Sequence, residues 1–301
     1  MKTAASLCLC ALVASGQTFR SGAEGVHVDV LVLDGKRPVG GLRAEDFLLR
    51  DSGVPQRIDS VAFEDLPLNV IFALDTSESV QGNPLDNLKI AAIAAVQLLR
   101  PADQAAVVTF DDYVTLRSDW TRDRVRLSSA IGASKSGGAT ALHDAAYTAL
   151  TLRASQPGRT LALIFSDGED TASWLRGQAA IDIARRNDAV VYGVELRPKG
   201  RWTPGYLLDF HSGVQTGASA PRTRLMERFL DALAGETGGQ VLNAGRAEQL
   251  HDRFVEIMTE FRTRYLITYS PTGVERTGWH PLEVTLKNRK GRVIARRGYL
   301  R

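Results

Sequence analysis

The stretch Asp75-Thr76-Ser77-Glu78-Ser79 gathers a carboxylate and two serine hydroxyls within five residues. Such oxygens in a tight turn are hard donors, suited to Mg²⁺, Mn²⁺ or Ca²⁺ and poorly suited to soft metals. So few donors would leave the coordination sphere open. The pattern alone is common, because Ser77 and Ser79 also suit helix N-caps and Asp75 a capping turn. Two other segments carry similar chemistry: Gly137-Gly138-Ala139-Thr140, ahead of a helical pattern, and Ser166-Asp167-Gly168-Glu169-Asp170, behind an apolar run. Thr140 could be a plain N-cap and Asp167-Gly168 a plain turn. For all of these to be caps and turns, each explanation must hold independently, which favours one shared site.

The elements that must position these residues follow from hydrophobic patterning. Val70 to Leu74 is a continuous apolar run, as expected for a strand covered on both faces of a parallel sheet. Similar runs recur at Ala105 to Phe110, Leu161 to Phe165 and Ala189 to Val194. Helical patterns lie at Leu85 to Leu99, Ala141 to Leu152 and Trp174 to Arg186, and later at Leu225 to Ala234 and Ala247 to Arg262. This alternation predicts a doubly wound, mostly parallel α/β sheet, in which ligands bind at the carboxyl ends of the strands. Asp75 and Asp167 both follow strands directly, and the Thr140 segment reaches the same edge. Gly238-Gly239 followed by Gln240-Val241-Leu242 fits a short edge strand.

Outside this region the patterning is that of short strands. Val26 to Leu33 alternates, Asp34-Gly35 supplies a turn, and segments near Asp46 to Arg50 and Gln56 to Phe63 complete a small β unit. Tyr265 to Tyr269, Leu282 to Leu286 and Val293 to Tyr299 are the strands expected after the last helix. The boundaries read as residues 25–65 for the first β segment, 66–262 for the α/β domain and 263–301 for the closing β segment.

Asp75, Ser77, Ser79, Thr140 and Asp167 together resemble the von Willebrand factor A family. Its metal-ion-dependent adhesion site uses an Asp-x-Ser-x-Ser turn, a distant Thr and a distant Asp in that order. The likeness extends over about Gly25 to Arg301. Pro38 to Leu42, Asp46-Phe47, Asp51 to Pro55 and the tail Ala295 to Tyr299 are similar to a bacterial exported subfamily with flanking β segments. The resemblance implies a Rossmann-like fold, with the terminal β segments packing together beside the main domain. It also implies a divalent cation, Mg²⁺ foremost with Mn²⁺ or Ca²⁺ as alternatives. The cation would be held by Asp75, Ser77, Ser79, Thr140 and Asp167, the acidic residues often acting through water, and a protein partner would supply a carboxylate. In family members the last helix, here Ala247 to Arg262, moves with metal coordination.

Rival readings are a metal-assisted hydrolase and a metal-free scaffold of an envelope assembly. An open hard-cation site can activate water, but the chain has no Gly-x-x-x-x-Gly-Lys-Ser/Thr loop and no Gly-x-Ser-x-Gly elbow. A binding module that is not an enzyme is therefore expected. Glu78 and Asp170 could support the metal from outside its direct ligands but read more readily as solvated, His143-Asp144 as a surface pair on a helix, and Asp111 and Asp112 as loop carboxylates. The long segment 197–224, with Arg197, Lys199, Arg201, Trp202, Tyr206 and Phe210, leaves a strand on the site edge and reads either as a partner-binding loop or as a solvated insertion.

Composition sets the remaining bounds. With 301 residues and 44% hydrophobic, the chain can bury a core. Thirty-seven basic against 34 acidic residues leaves +3, too little to argue for nucleic acid. Met1-Lys2, the apolar run Ala4 to Ala14 and the small residues after it predict an export signal over residues 1–16, and hence a periplasmic, cell-surface or secreted protein. Both cysteines, Cys8 and Cys10, lie in that run, which leaves no thiol for cysteine-ligated zinc or thiol catalysis in the mature chain. No later stretch reaches the ~18 apolar residues of a membrane helix.

Overall fold

Residues 25–63, 66–153, 158–166, 170–196 and 229–301 are described by a computed structural model. The chain opens with strands β1 (Val26–Asp34), β2 (Arg37–Pro38), β3 (Phe47–Asp51), β4 (Val54–Gln56) and β5 (Ile58–Phe63). Strands and helices then alternate: β6 (Leu68–Asp75), α1 (Asn83–Gln97), β7 (Gln104–Phe110), β8 (Val114–Thr121), α2 (Arg124–Gly132) and α3 (Leu142–Arg153). Next come β9 (Arg159–Ser166), α4 (Gly177–Arg186), β10 (Val190–Leu196), α5 (Phe229–Thr237), β11 (Val241–Ala244) and α6 (Leu250–Arg262). The last strands are β12 (Tyr265–Tyr269), β13 (Trp279–Leu286), β14 (Arg292–Ile294) and β15 (Gly298–Leu300).

The apolar runs occupy the middle of a six-stranded sheet of order β11-β10-β9-β6-β7-β8. Every pairing is parallel except β7 with β8. All of β6 is buried because both faces are covered. Val70, Phe72 and Leu74 pack with α1 and α6, through Leu88, Ala92, Phe254, Ile257 and Phe261. Ile71 and Ala73 pack with α3, α4 and α5, through Ala146, Leu150, Ile181 and Leu233. From β6 the chain winds one way to β7 and β8, then returns to the other side of β6 as β9. The junction of β6 and β9 is thus the topological switch point, where the carboxyl ends of such sheets open a crevice.

The terminal strands pair with one another as expected. β1 runs antiparallel to β12, from Val26 opposite Tyr269 to Val30 opposite Tyr265, and also pairs with β14. A second sheet, β15-β13-β3-β4, joins the closing strands to the opening ones. Val28, Val30, Val32, Phe47, Leu49, Tyr265, Ile267 and Tyr269 form the core of this β unit. Inside it Asp51, fully buried, accepts hydrogen bonds from the Tyr269 and Tyr299 hydroxyls at 2.8 Å each and contacts His280 Nδ1 at 3.0 Å. Burial alone would raise the Asp51 pKa, but its bonds from Tyr269, Tyr299, His280 and Ser52 outweigh that and hold it low.

Several expectations need correction. β8 and α2 did not stand out in the patterning; β8 is an edge strand with one buried residue, Ser118, and α2 buries only Leu127 and Ile131. Val293 to Tyr299 is not one strand but parts of two in different sheets, because Arg296 turns inward between them to reach the carbonyls of Asn187 and Gly298. α4 starts at Gly177 rather than Trp174, since the Trp174 and Leu175 amides donate to Asp144 instead of entering a helix. The predicted signal, residues 225–228 of the expected helix and the 197–224 segment lie outside the described residues. Among the described residues no helix is long and apolar enough to cross a membrane.

The β unit meets the main sheet at the amino ends of its strands, opposite the switch-point crevice. There Asp188, just before β10, receives Arg153 Nε at 2.7 Å and lies 3.6 Å from His27 Nδ1 on β1. Burial would raise the Asp188 pKa, but hydrogen bonds and charge from His27 and Arg153 take it down to about 2. The hydrogen bond to Asp188 chiefly raises that of His27. A depressed carboxylate stabilises the fold above its unfolded pKa, and this is lost as pH falls through the folded value. Asp188→Asn is therefore expected to lower urea stability by about 2 kcal/mol at pH 7, with most of the difference from wild type lost as pH falls from about 4 to about 2. A difference at pH 2 as large as that at pH 7 would count against this pairing. His27 acts in the opposite sense: its contribution is present below its unfolded value and fades as pH rises through the raised folded one.

Candidate functional site

Asp75 is the last residue of β6 and is fully buried. Its Oδ1 accepts the Ser77 amide at 2.9 Å, which closes the turn on itself, and its Oδ2 accepts the Ser166 hydroxyl at 2.9 Å. Ser166 ends β9, so this second bond spans the switch point. Ser77 is buried and Ser79 exposed, and their hydroxyl oxygens lie 2.9 Å apart. The N-cap alternative does not hold for the serines: α1 starts at Asn83 behind Gly82, and Ser77 makes no side-chain capping bond to the short 3₁₀ turn that follows it.

The Thr140 loop is docked onto this turn through its backbone. The Gly137 amide donates to the Thr76 carbonyl at 2.9 Å, and the Glu78 amide to the Gly138 carbonyl at 3.0 Å. Gly138 has φ 72°, and a Cβ there would fall 2.2 Å from Asp112 Oδ2, so only glycine fits unless the hairpin turn moves. Thr140 itself is buried. Its amide donates to Thr171 Oγ1 at 2.9 Å, and its carbonyl accepts the Thr171 and Ala172 amides at 2.9 and 3.1 Å. Four of the five residues expected at the site, Asp75, Ser77, Ser79 and Thr140, therefore stand on loops that meet at one sheet edge. Asp167, the fifth, lies outside the described residues.

The carboxylates around these loops hold the loops in place. Asp112 Oδ1 accepts the Ala139 amide at 2.9 Å, and Asp111 accepts the Tyr113 amide at 3.0 Å. Asp144 accepts the amides of Trp174 and Leu175, and Asp170 accepts the His143 amide at 3.1 Å and the Ser173 hydroxyl at 2.5 Å. Reading His143-Asp144 as a surface pair and Asp170 as merely solvated is thus corrected. His143 is buried against the Phe229 ring, 4.4 Å between centroids, with Nδ1 3.3 Å from Asp170. Burial chiefly lowers its pKa, against the raising charges of Asp170 and Asp144. Sequence reasoning missed Ser166, although a hydroxyl ending a buried apolar strand immediately before Asp167 was a usable signal.

A parallel sheet wound both ways around a switch point, with an Asp-x-Ser-x-Ser turn at its carboxyl edge, defines a von Willebrand factor A type α/β fold. Residues 70–169 match the von Willebrand factor type A domain model. Over 109 residues it is 29% identical to an uncharacterized protein of Synechocystis sp., covering 35% of this chain and only 26% of that protein's length. The solved von Willebrand factor type A structure from Catenulispora acidiphila superposes with TM-score 0.52 at 14% identity, covering 90% of this chain and 74% of that one. Proximal thread matrix protein 1 of the mussel byssus, in a structure with a zinc-occupied metal-ion-dependent adhesion motif, gives TM-score 0.51 at 15% identity, covering 68% and 48%. At these identities the structural likeness speaks to the fold alone.

Proposed function

We propose that this protein is a metal-dependent protein-interaction module. Asp75, Ser77, Ser79, Thr140 and Asp167 would hold a divalent cation, Mg²⁺ foremost, and a partner's carboxylate would complete its coordination. The observation that carries this reading is the backbone docking of the Thr76 to Glu78 turn onto Gly137 and Gly138, which brings the Thr140 loop to the two serines. Among the described residues the donor set is one buried carboxylate and three hydroxyls, to which Asp167 would add a second carboxylate, and such oxygens fit a hard cation. Among the described residues no three His, Cys, Asp or Glu side chains gather as a metal-binding group, so the hydroxyls would carry the coordination. The bound ion would supply a positive charge that attracts and orients an anionic oxygen. The protein's own groups would hold the serine hydroxyls together and keep Asp75 fixed through Ser166.

Binding is favoured over catalysis because the imidazole nearest to Thr140 in sequence, His143, is buried against Phe229 and engaged with Asp170 rather than exposed to a substrate. Together with the export signal expected at residues 1–16, this describes a module acting outside the cytoplasm, in the periplasm, at the cell surface or secreted. Thermal unfolding during Mg²⁺ and Mn²⁺ titration tests the site. A ligand at a hundredfold excess over its Kd stabilises by about 2.7 kcal/mol, so the wild-type midpoint should rise by several degrees. Asp75→Ala should abolish the rise. A wild type whose midpoint ignores both ions would sink the reading.

A further inference from the structure

Two aromatic side chains flank the Thr140 loop, and neither is covered. Tyr113 sits on the β7–β8 turn at 72% exposure, and Trp174 on the segment between β9 and α4 at 89%. They are the two most exposed aromatic residues among those described. Trp279, the next, is 40% exposed and lies against Arg185, with the guanidinium carbon 4.8 Å from the ring centroid. A loose surface loop could leave such rings exposed by accident, but these loops are not loose. The Asp111 and Asp112 carboxylates and the Asp111 carbonyl tie the Tyr113 turn to itself and to residues 139 and 141. Both Asp144 oxygens tie the Trp174 segment to α3, four residues beyond Thr140. Leu175, 37% exposed, extends the apolar surface beside Trp174.

Tyrosine and tryptophan are among the residue types that most often dominate a binding interface, because they bury much area for little entropy, and here both stand on loops whose backbone is anchored. The carboxylates nearest them are engaged with backbone amides, and the two rings with Leu175 are the exposed apolar surface of this rim. We infer that Tyr113 and Trp174 are the anchors that set partner specificity. The segment they recognise carries one acidic residue with apolar side chains a few residues away on both sides, the carboxylate seating in the crevice and the flanks on the two rings. Charge complementarity selects a carboxylate-bearing protein segment over a neutral apolar one, and this part of the inference rests on the metal reading proposed above.

A displayed peptide library of nine residues with a fixed central Asp and random flanks, panned on the full chain in Mg²⁺, is the probe. Enriched peptides should carry aromatic or aliphatic residues on both flanks. Trp174→Ser and Tyr113→Ser should each weaken binding of the best synthetic peptide by about tenfold or more, since interface anchors typically exceed that loss. Their Mg²⁺-induced rise in unfolding temperature should match the wild type. No enrichment over an empty support, enrichment without apolar flanks, or unweakened binding by both variants would overturn the inference. So would a concentration-dependent dimer lost in Trp174→Ser, which would assign the rings to self-association. Peptides that bind Asp75→Ala as they bind wild type, in a protein that Mg²⁺ does not stabilise, would instead remove the metal reading and leave an apolar peptide site.

Discussion

Asp29→Ala is expected to lower the stability of the whole chain by about 3–5 kcal/mol, because it strands a buried guanidinium. Asp29 on β1 and Arg159 at the start of β9 are 6% and 4% exposed, and Arg159 Nε lies 2.5 Å from Asp29 Oδ1. Arg159 also donates to the Phe261 carbonyl at 2.9 Å and packs over the Phe261 ring. One side chain thus joins the opening β strand, the central sheet and the end of α6. Two charges at this depth gain little over apolar residues of the same volume, so the pair itself contributes modestly, and removing one partner is what costs. The double variant Asp29→Leu/Arg159→Met should accordingly recover most of the loss. Urea unfolding of the two variants decides the matter: a loss below about 1 kcal/mol for Asp29→Ala would show that water reaches Arg159 and that the junction is loose. If the junction is as tight as drawn, the wild type unfolds in one transition rather than two.

What could be read in advance depended on how local the cause was. Strands buried on both faces announce themselves as unbroken apolar runs, so Val70 to Leu74 and Leu161 to Phe165 were legible, and with them the edge on which Asp75 stands. Asp75 and Ser166 end such runs, whereas Gly137 to Thr140 is marked only by the helical pattern that follows it. β8 was not legible, since an edge strand with one solvated face has no need of apolar residues, and its Val-Thr-Leu-Arg alternation is weak. Nor were the roles of Asp144 and Asp170. Asp144 satisfies amides about 30 residues downstream, and Asp170 an amide 27 residues upstream, which no spacing rule on a single helix reveals. The inward turn of Arg296 is of the same kind: a charged residue in a strand-like tail reads as solvated until the carbonyls it satisfies, contributed by α4 and the loop after it, are in view.

Gly239→Ala should be among the most damaging single-methyl changes in the chain, and for a reason equally invisible to pattern. The Gly238-Gly239 pair reads as a turn into an edge strand, which it is. Its constraint, however, comes from β10. A Cβ on Gly239 would fall 1.8 Å from the Val191 carbonyl oxygen, and Val191 is fixed in the sheet opposite Ala162. The turn would have to retreat, straining the bond from Gly193 N to the Gln240 carbonyl at 3.0 Å and that from Arg264 Nη2 to the Gly238 carbonyl at 2.6 Å. Arg264 is fully buried, so its lost partner is not replaced by water. Overpacking with unpaired buried groups supports a loss of about 3 kcal/mol or more, seen as a lower urea midpoint and a smaller soluble yield. Gly245→Ala is the control: its Cβ would meet only Gln249 Oε1 at 3.4 Å, and a change within about 0.5 kcal/mol is expected. Because the Gly239 turn leads into the amino end of β11, away from Asp75, the Mg²⁺-induced rise in midpoint should survive in Gly239→Ala even as the starting midpoint falls. A variant that loses the Mg²⁺ response while still folded would mean that the two edges of the sheet are coupled.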